Sequence, residues 1–192
     1  IGLRLLLEAG YSASSAGQIS ASGAVLARQR ATRAGSSRSP DDDVKVVKKN
    51  SIFSLHHEIV ELCDNRPAFI SIDGDHTLYP VITDHVMAGE ALKRGGVIAS
   101  DDYQNWAMIG VAAGVERFLI TQNRHRITPF AFTSLKLFSC HHEWHDTYHR
   151  GIIEFAEQNL GIPAAKRFIE ARDRDGLYTV NLELGEKTCL VL

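Results

Sequence analysis

Along residues 69–103 the chain alternates between short apolar runs and carboxylates. Phe69-Ile70-Ser71-Ile72 ends at Asp73-Gly74-Asp75-His76, and Gly95-Gly96-Val97-Ile98-Ala99-Ser100 ends at Asp101-Asp102. Runs of a few β-branched and apolar residues bounded by turn formers predict strands. Between them, Thr83 to Lys93 carries Val86, Met87, Ala91 and Leu92 at helical spacing, and Gly95-Gly96 stops the helix. A strand–helix–strand unit crosses over right-handedly, which lays the two strands parallel. Their carboxyl ends then carry the acidic residues, where open α/β sheets bind ligands.

The same patterning extends outward. Leu3 to Ala9 predicts a helix closed by Gly10. Tyr11 to Ser20 predicts a weak strand and turn. Ala21 to Ala34, rich in Ala, Leu, Arg and Gln, predicts a helix. Ser36 to Asp43 predicts a loop whose acidic run is solvated. Val44 to Val47 predicts a strand, and Leu55 to Cys63 a helix with one apolar face that leaves His56 and His57 in solvent. Ile109 to Leu119 predicts another amphipathic helix. The segments ITPFAFT and LKLFSC, from Ile127 onward, predict paired strands near the sheet edge. Ile152 to Leu160 and Ala164 to Ala171 predict helices around Gly161-Ile162-Pro163. Leu177 to Leu184 and Thr188 to Leu192 predict a closing hairpin through Gly185-Glu186-Lys187. The sum is one α/β domain: a three-layer sandwich with a mostly parallel central sheet and antiparallel edge strands at the C-terminal end.

Composition narrows the function classes. The 192 residues suit one domain, and 44% hydrophobic content marks a globular chain. A net charge of −2 argues against a protein built to grip nucleic acid or an anionic membrane. No apolar run reaches the roughly 18 residues of a membrane span. Cys63, Cys140 and Cys189 show neither metal spacing nor a disulfide framework, so a reducing cytoplasm is expected.

Asp73, Asp101 and Asp102 are hard oxygen donors. Carboxylates crowded in a crevice raise one another's pKa, and a divalent cation relieves that cost. Carboxylates and waters suit Mg²⁺, Ca²⁺ or Mn²⁺, and a substrate hydroxyl on such a cation loses its proton more readily. His76 lies three residues past Asp73, and a histidine titrates near neutral pH, so it is placed to take that proton. The plainer alternative is capping: Asp75 at a helix beginning near Thr77, Asp101 or Asp102 at a following turn. His141, His145 and His149 recur at i, i+4, i+8, which a helix would stack on one face for Zn²⁺ or Ni²⁺. A polar segment after the strands is the simpler account of that tract. Tyr103 and Trp106 could stack on a planar ligand, with packing expected for at least one of them.

The motifs Ile72-Asp73-Gly74-Asp75-His76-Thr77-Leu78-Tyr79 and Gly95-Gly96-Val97-Ile98-Ala99-Ser100-Asp101-Asp102-Tyr103 resemble those of class I S-adenosylmethionine-dependent methyltransferases. They are most similar to the metal-dependent branch that methylates sugar or catechol hydroxyls, and the resemblance extends from about Val44 to Leu119. It implies a Rossmann-like sheet, S-adenosylmethionine as cofactor and Mg²⁺ as metal. It also implies Asp73, Asp101 and Asp102 as metal ligands, with His76 and Asp73 at the chemistry. For the methyl donor it implies Asn50 and Ser51 at the adenine, Gln18 near the ribose, and Asp73 on the crevice wall. The family's glycine-rich loop after its first strand has no counterpart here, because only Ile1-Gly2 precedes the first helix; the domain reads as truncated at its N-terminus.

The leading expectation is O-methylation of a small-molecule or sugar hydroxyl, with a small-molecule acceptor as partner and homo-oligomerisation compatible with it. Two alternatives stand beside it. Asp73-Gly74-Asp75 after a strand also suits a nucleotide-sugar glycosyltransferase holding Mn²⁺ against a diphosphate. A catalytically weakened, methyltransferase-like binding domain fits the missing glycine loop.

Overall fold

The computed structural model describes residues 15–20, 24–29, 44–133, 135–175, 179–180 and 187–192, with side chains described from residue 49 onward except at 134 and 175–186. The expected helix at Leu3–Ala9 and the loop at Ser36–Asp43 lie outside these residues.

Among the described residues the strands are β1 (Ser15–Ser20), β2 (Ala24–Gln29), β3 (Val44–Lys48), β4 (Phe69–Asp73), β5 (Val97–Ser100), β6 (Ile127–Phe132), β7 (Leu137–His141), β8 (Thr179–Val180) and β9 (Cys189–Val191). They form one open sheet in the order β3-β2-β1-β4-β5-β7-β6-β9-β8. The helices are α1 (His56–Leu62), α2 (Leu78–Ala91), α3 (Ile109–Thr121), α4 (His145–Gln158) and α5 (Pro163–Asp175). The fold is therefore α/β, with a mixed sheet.

The unit β4–α2–β5 forms as its pattern requires. β4 and β5 pair in parallel, with Ile70 opposite Ile98 and Ile72 opposite Ser100. Side chains alternate across the sheet, so Ile70, Ile72 and Ile98 pack with Ile59 and Cys63 at α1, Met87 and Ala91 of α2, and Phe118 of α3. Val97 and Ala99 point the other way, into Phe130, Phe138, Ala156 of α4 and Phe168 of α5. Helices thus cover both faces of the strands that carry the carboxylates. α2 starts at Leu78, five residues before the expected Thr83. Pro80 does not prevent this, because a helix's first turn has no intrahelical partner for its N–H groups.

Four expectations are corrected. The sheet is only partly parallel: β1–β4, β4–β5 and β6–β9 are parallel, and the remaining pairings are antiparallel. The segment Ala21–Ala34 contains strand β2 rather than a helix. β2 pairs antiparallel with β1 on one side and β3 on the other. Helix preferences of a few tenths of a kcal/mol per residue do not outweigh two ladders of backbone hydrogen bonds. β6 and β7 pair as expected but lie inside the sheet, between β5 and β9. α4 begins at His145, seven residues before Ile152, because Tyr148 continues its apolar stripe and stacks on Phe130 with ring centroids 4.9 Å apart. At the sheet edge β8 and β9 pair antiparallel, as the expected closing hairpin requires; residues 181–186 of its connection lie outside the described residues. No described helix is long and apolar enough to cross a membrane.

Candidate active site at the carboxyl ends of β4 and β5

Asp73 is the last residue of β4. The loop after it is shaped by two glycines, one in the loop and one facing it. At Gly74 a Cβ would lie 2.7 Å from Oδ2 of Asp84, so the α2 carboxyl group occupies the space a side chain would need. At Gly110, in the first turn of α3, a Cβ would come within 2.3 Å of the His76 carbonyl oxygen. The backbone of His76 therefore rests directly on α3. Asp75 turns back on its own loop: Oδ1 accepts from the Thr77 amide at 2.8 Å and from the Thr77 hydroxyl at 2.7 Å. These bonds to the Thr77 hydroxyl and amide hold the Asp75 carboxyl below its usual pKa. Its role is the local, helix-entry one that the capping alternative describes, with Thr77 itself as the cap residue.

The second loop follows β5. The Asp101 amide donates to the Ile72 carbonyl at 2.9 Å, extending the β4–β5 ladder by one bond. Asp102 adopts a left-handed backbone, φ 56°, which asparagine and aspartate tolerate better than most residues. The turn sends the two carboxylates in different directions. Asp101 Oδ2 forms an ion pair with Lys136, and its Oδ1 accepts from the Asp102 amide at 3.1 Å. Asp102 Oδ1 accepts from Asn105 Nδ2 at 2.9 Å, while Oδ2 lies 3.2 Å from His76 Nε2.

His76 Nε2 is 3.9 Å from Asp73 Oδ1. It is shielded from solvent and makes no well-formed hydrogen bond, despite the short approach to Asp102. One ligand atom each from Asp73, His76 and Asp102 lie within 4.8 Å of one another. That donor set, two carboxylates and an imidazole with a buried unpaired nitrogen, fits a divalent cation. The imidazole suits Zn²⁺ and the two carboxylates suit Mn²⁺, whereas Mg²⁺ prefers an all-oxygen set. The expected trio Asp73, Asp101 and Asp102 is thus not what the structure gathers: His76 stands where Asp101 was expected, and Asp101 is engaged by Lys136. Lys136 lies 35 residues from Asp101 in the chain, and no local pattern announces the pairing.

The other expected residues are more dispersed. Asn50 caps a 3-10 turn over Ser51–Phe53 that follows β3, with Oδ1 accepting from the Ile52 amide at 3.0 Å. Ser51 follows it and lies near Asp84. The backbone of Gln18 sits inside β1, opposite Ser71, while Ser20 is the β1 residue level with Asp73. Tyr103 is buried and packs with Val81, Val111 and Leu137, whereas Trp106 is 88% exposed at the entry to α3.

The histidine tract does not stack as a triad. His141 ends β7, and only His145 and His149 share α4, their rings stacked 5.5 Å apart. Both ring nitrogens of His145 already face oxygens, of Asp146 at 2.9 Å and of Thr188 at 2.8 Å, so neither is open to a metal. The tract instead braces the turn before β5. The Tyr148 hydroxyl donates to the Gly95 carbonyl at 2.5 Å, and Trp144 lies against Gly95, whose φ of 76° requires glycine.

Beneath the site, α2 buries two neighbouring titratable residues that the motif reading passed over. Asp84 is fully buried, and neither oxygen makes a well-formed hydrogen bond. Burial pushes its pKa up to about 6, with the Ser51 hydroxyl opposing and the Asp75 charge adding to the shift. Burial lowers His85 to about 4, against a hydrogen bond to the Val81 carbonyl. A carbonyl only accepts, so His85 Nδ1 carries the proton at 2.7 Å, and Nε2 accepts from the Ser100 hydroxyl at 2.7 Å. Asp84 thus backs the first loop, and His85 ties α2 to the end of β5. Their signal in the sequence was only that both are polar residues on a helix buried on nearly every side.

No protein-family model matches the chain, and comparison with curated proteins and with solved structures returned no match.

Proposed function

We propose that this chain is an S-adenosylmethionine-dependent methyltransferase that activates an acceptor hydroxyl at Asp73, His76 and Asp102. One observation carries the reading: these three side chains, from two loops 26 residues apart in sequence (76 to 102), bring ligand atoms within 4.8 Å at the carboxyl ends of two adjacent parallel strands. The strand order supports it. From β3 to β5 the order is 3-2-1-4-5, the order of Rossmann-like folds, with the difference that β2 runs antiparallel to β1 and β3; β1, β4 and β5 are parallel. Asp73 ends β4, the middle one of these three parallel strands, and the proposed cofactor would lie along their carboxyl ends. Asn50 and Ser51 follow β3 on the same rim, which is where the donor's adenosyl part would be met.

In this reading Asp73, His76 and Asp102 would hold a divalent cation, which would acidify the acceptor hydroxyl and fix its position. The methyl donor then needs only an in-line approach, and positioning of this kind lowers a barrier by removing orientational freedom. The 3.2 Å approach of His76 to Asp102 favours a second, metal-free version. There His76 accepts the hydroxyl proton, and Asp102 stabilises the imidazolium. In the glycosyltransferase reading, Asp73 and Asp75 would share a cation, but Asp75 Oδ1 is already bonded to Thr77.

Titration calorimetry with S-adenosylhomocysteine, with and without Mn²⁺ or Mg²⁺, and in parallel with UDP-sugars, tests the reading. Saturable S-adenosylhomocysteine binding is expected. Binding of UDP-sugars alone would overturn it in favour of glycosyl transfer. Turnover that survives EDTA would leave the His76–Asp102 version and remove the metal.

A further inference from the structure

On the opposite rim of the sheet, a cavity of about 750 Å³ opens beside the start of β6. β6 runs parallel to β5, since both are antiparallel to β7. Its first residue therefore lies at the amino ends of the sheet, and the carboxylate cluster lies at the other. Strands of four to six residues separate the rims by roughly 13–20 Å. The cavity is within the size range of small-molecule sites.

Its lining divides in two. Val86 of α2 and Leu119 and Ile120 of α3 form an apolar wall. Arg124, Arg126 and His142 supply the basic side. Neither arginine side chain makes an ion pair or hydrogen bond among the described residues, unlike Arg94, which pairs with Glu143 at 2.7 Å. One unpaired cation after α3 would be explained by the negative end of that helix, an effect of about 0.3–1 kcal/mol. That explains neither a second arginine nor the concavity between them.

The basic turn is also held rigidly. The Asn123 side chain bonds both backbone groups of Ile127, accepting from its amide at 2.6 Å and donating to its carbonyl at 2.7 Å. Arg126 is fixed in a left-handed conformation, φ 51°, which a long side chain rarely adopts. Its carbonyl accepts from the His142 amide at 2.8 Å, which locks the Arg126 turn to the end of β7. Thr128 Oγ1 lies 3.1 Å from His142 Nδ1 and orients the ring. The braced backbone thus fixes where these two exposed, unpaired arginines leave the chain, beside a partly apolar cavity.

We propose that this cavity binds a small phosphate monoester: the phosphate between Arg124, Arg126 and His142, and its organic part against Val86, Leu119 and Ile120. Guanidinium forks match phosphate oxygens two at a time, and two such cations answer a dianion better than a carboxylate. The site is separate from the carboxylate cluster, and its existence does not depend on the methyl-transfer reading.

Phenyl phosphate is the probe, with inorganic phosphate and benzoate as comparison arms, followed by NMR or calorimetric titration of the full chain. Saturable binding of phenyl phosphate is expected, tighter than inorganic phosphate and than benzoate by at least tenfold. Arg124→Gln with Arg126→Asn should weaken it at least tenfold; asparagine is chosen because it tolerates the left-handed backbone at 126. The single exposed change Arg124→Glu should do the same without touching that backbone, and thermal melting confirms that each variant is folded. Asp73→Asn should leave phenyl phosphate binding unchanged. Absent binding, binding equal in parent and folded variants, or benzoate binding as tightly as phenyl phosphate would each overturn the proposal.

Discussion

His76 Nε2 lies 3.2 Å from Asp102 Oδ2, with no well-formed hydrogen bond between them. A shielded imidazole nitrogen facing a carboxylate without closing a bond is placed for a third partner, and Asp73 completes the cluster. Asp101, adjacent in sequence, is turned to Lys136 instead. The pair therefore sets a specific ranking. Asp73→Asn and Asp102→Asn should each weaken Mn²⁺ binding by at least tenfold, about 1.4 kcal/mol. Asp101→Asn should change it by less than threefold. Paramagnetic titration of Mn²⁺ measures all three, and an Asp101 effect as large as that of Asp102 would return the metal set to the three aspartates.

Gly110 makes the loop of His76 depend on α3. Gly110→Ala places a methyl group 2.3 Å from the His76 carbonyl oxygen, a backbone atom that cannot swing aside as a side chain would. The loop must move, at a cost of about 1–3 kcal/mol, typical of overpacking. Urea denaturation should show that loss, together with weakened Mn²⁺ binding. Gly151, which has open space around it, is the control: Gly151→Ala should leave cation binding intact. Unchanged stability and metal affinity in Gly110→Ala would disprove the contact.

Asp84 and His85 should make the stability of this fold depend on pH in opposite ways. His85 falls from 6.5 to about 4 on folding, so the unfolded chain binds more protons between those values and stability rises with pH across that window. Asp84 rises from 3.8 to about 6, so the folded chain holds the extra proton and stability falls with rising pH between about 4 and 6. Each shift is worth roughly 3 kcal/mol at 1.36 kcal/mol per unit, and the two nearly cancel. Together these two groups should contribute a nearly flat profile from pH 4 to 6, so that a rise in the parent comes from others such as His141 and His149, whose burial also lowers their pKa. Asp84→Asn should gain stability as pH rises through that range, and His85→Gln should lose it. Denaturation midpoints at several pH values decide the matter, and variant profiles parallel to the parent would refute it.

Ser100 is the donor that His85 Nε2 needs. Ser100→Ala leaves a buried nitrogen unsatisfied, which costs about 1–3 kcal/mol. The expected result is that loss in chemical denaturation, with cation binding at Asp73, His76 and Asp102 preserved. A cost under about 0.5 kcal/mol would mean that the bond contributes nothing net.

Sequence by itself determined the β4–α2–β5 unit, the parallel pairing of its strands and the delivery of acidic residues to their carboxyl ends. Those features follow from short-range patterning: side-chain period, turn residues and one crossover rule. It also gave the exposed His56 and His57, the α1 and α3 segments and the final hairpin. Tertiary structure decided what depends on distant partners. β2 is a strand because β1 and β3 flank it, although its composition favours a helix. Asp101 left the expected metal set because Lys136, brought beside β5 by the β6–β7 turn, draws its charge away. His76 entered that set because Gly110 lets α3 press on its backbone. The stacked histidine triad failed because β7 extends to His141, so the helix begins four residues too late to include it. The Asp84–His85 pair and the basic cavity at the opposite rim arise where separate elements meet, and no local spacing in the chain encodes a meeting.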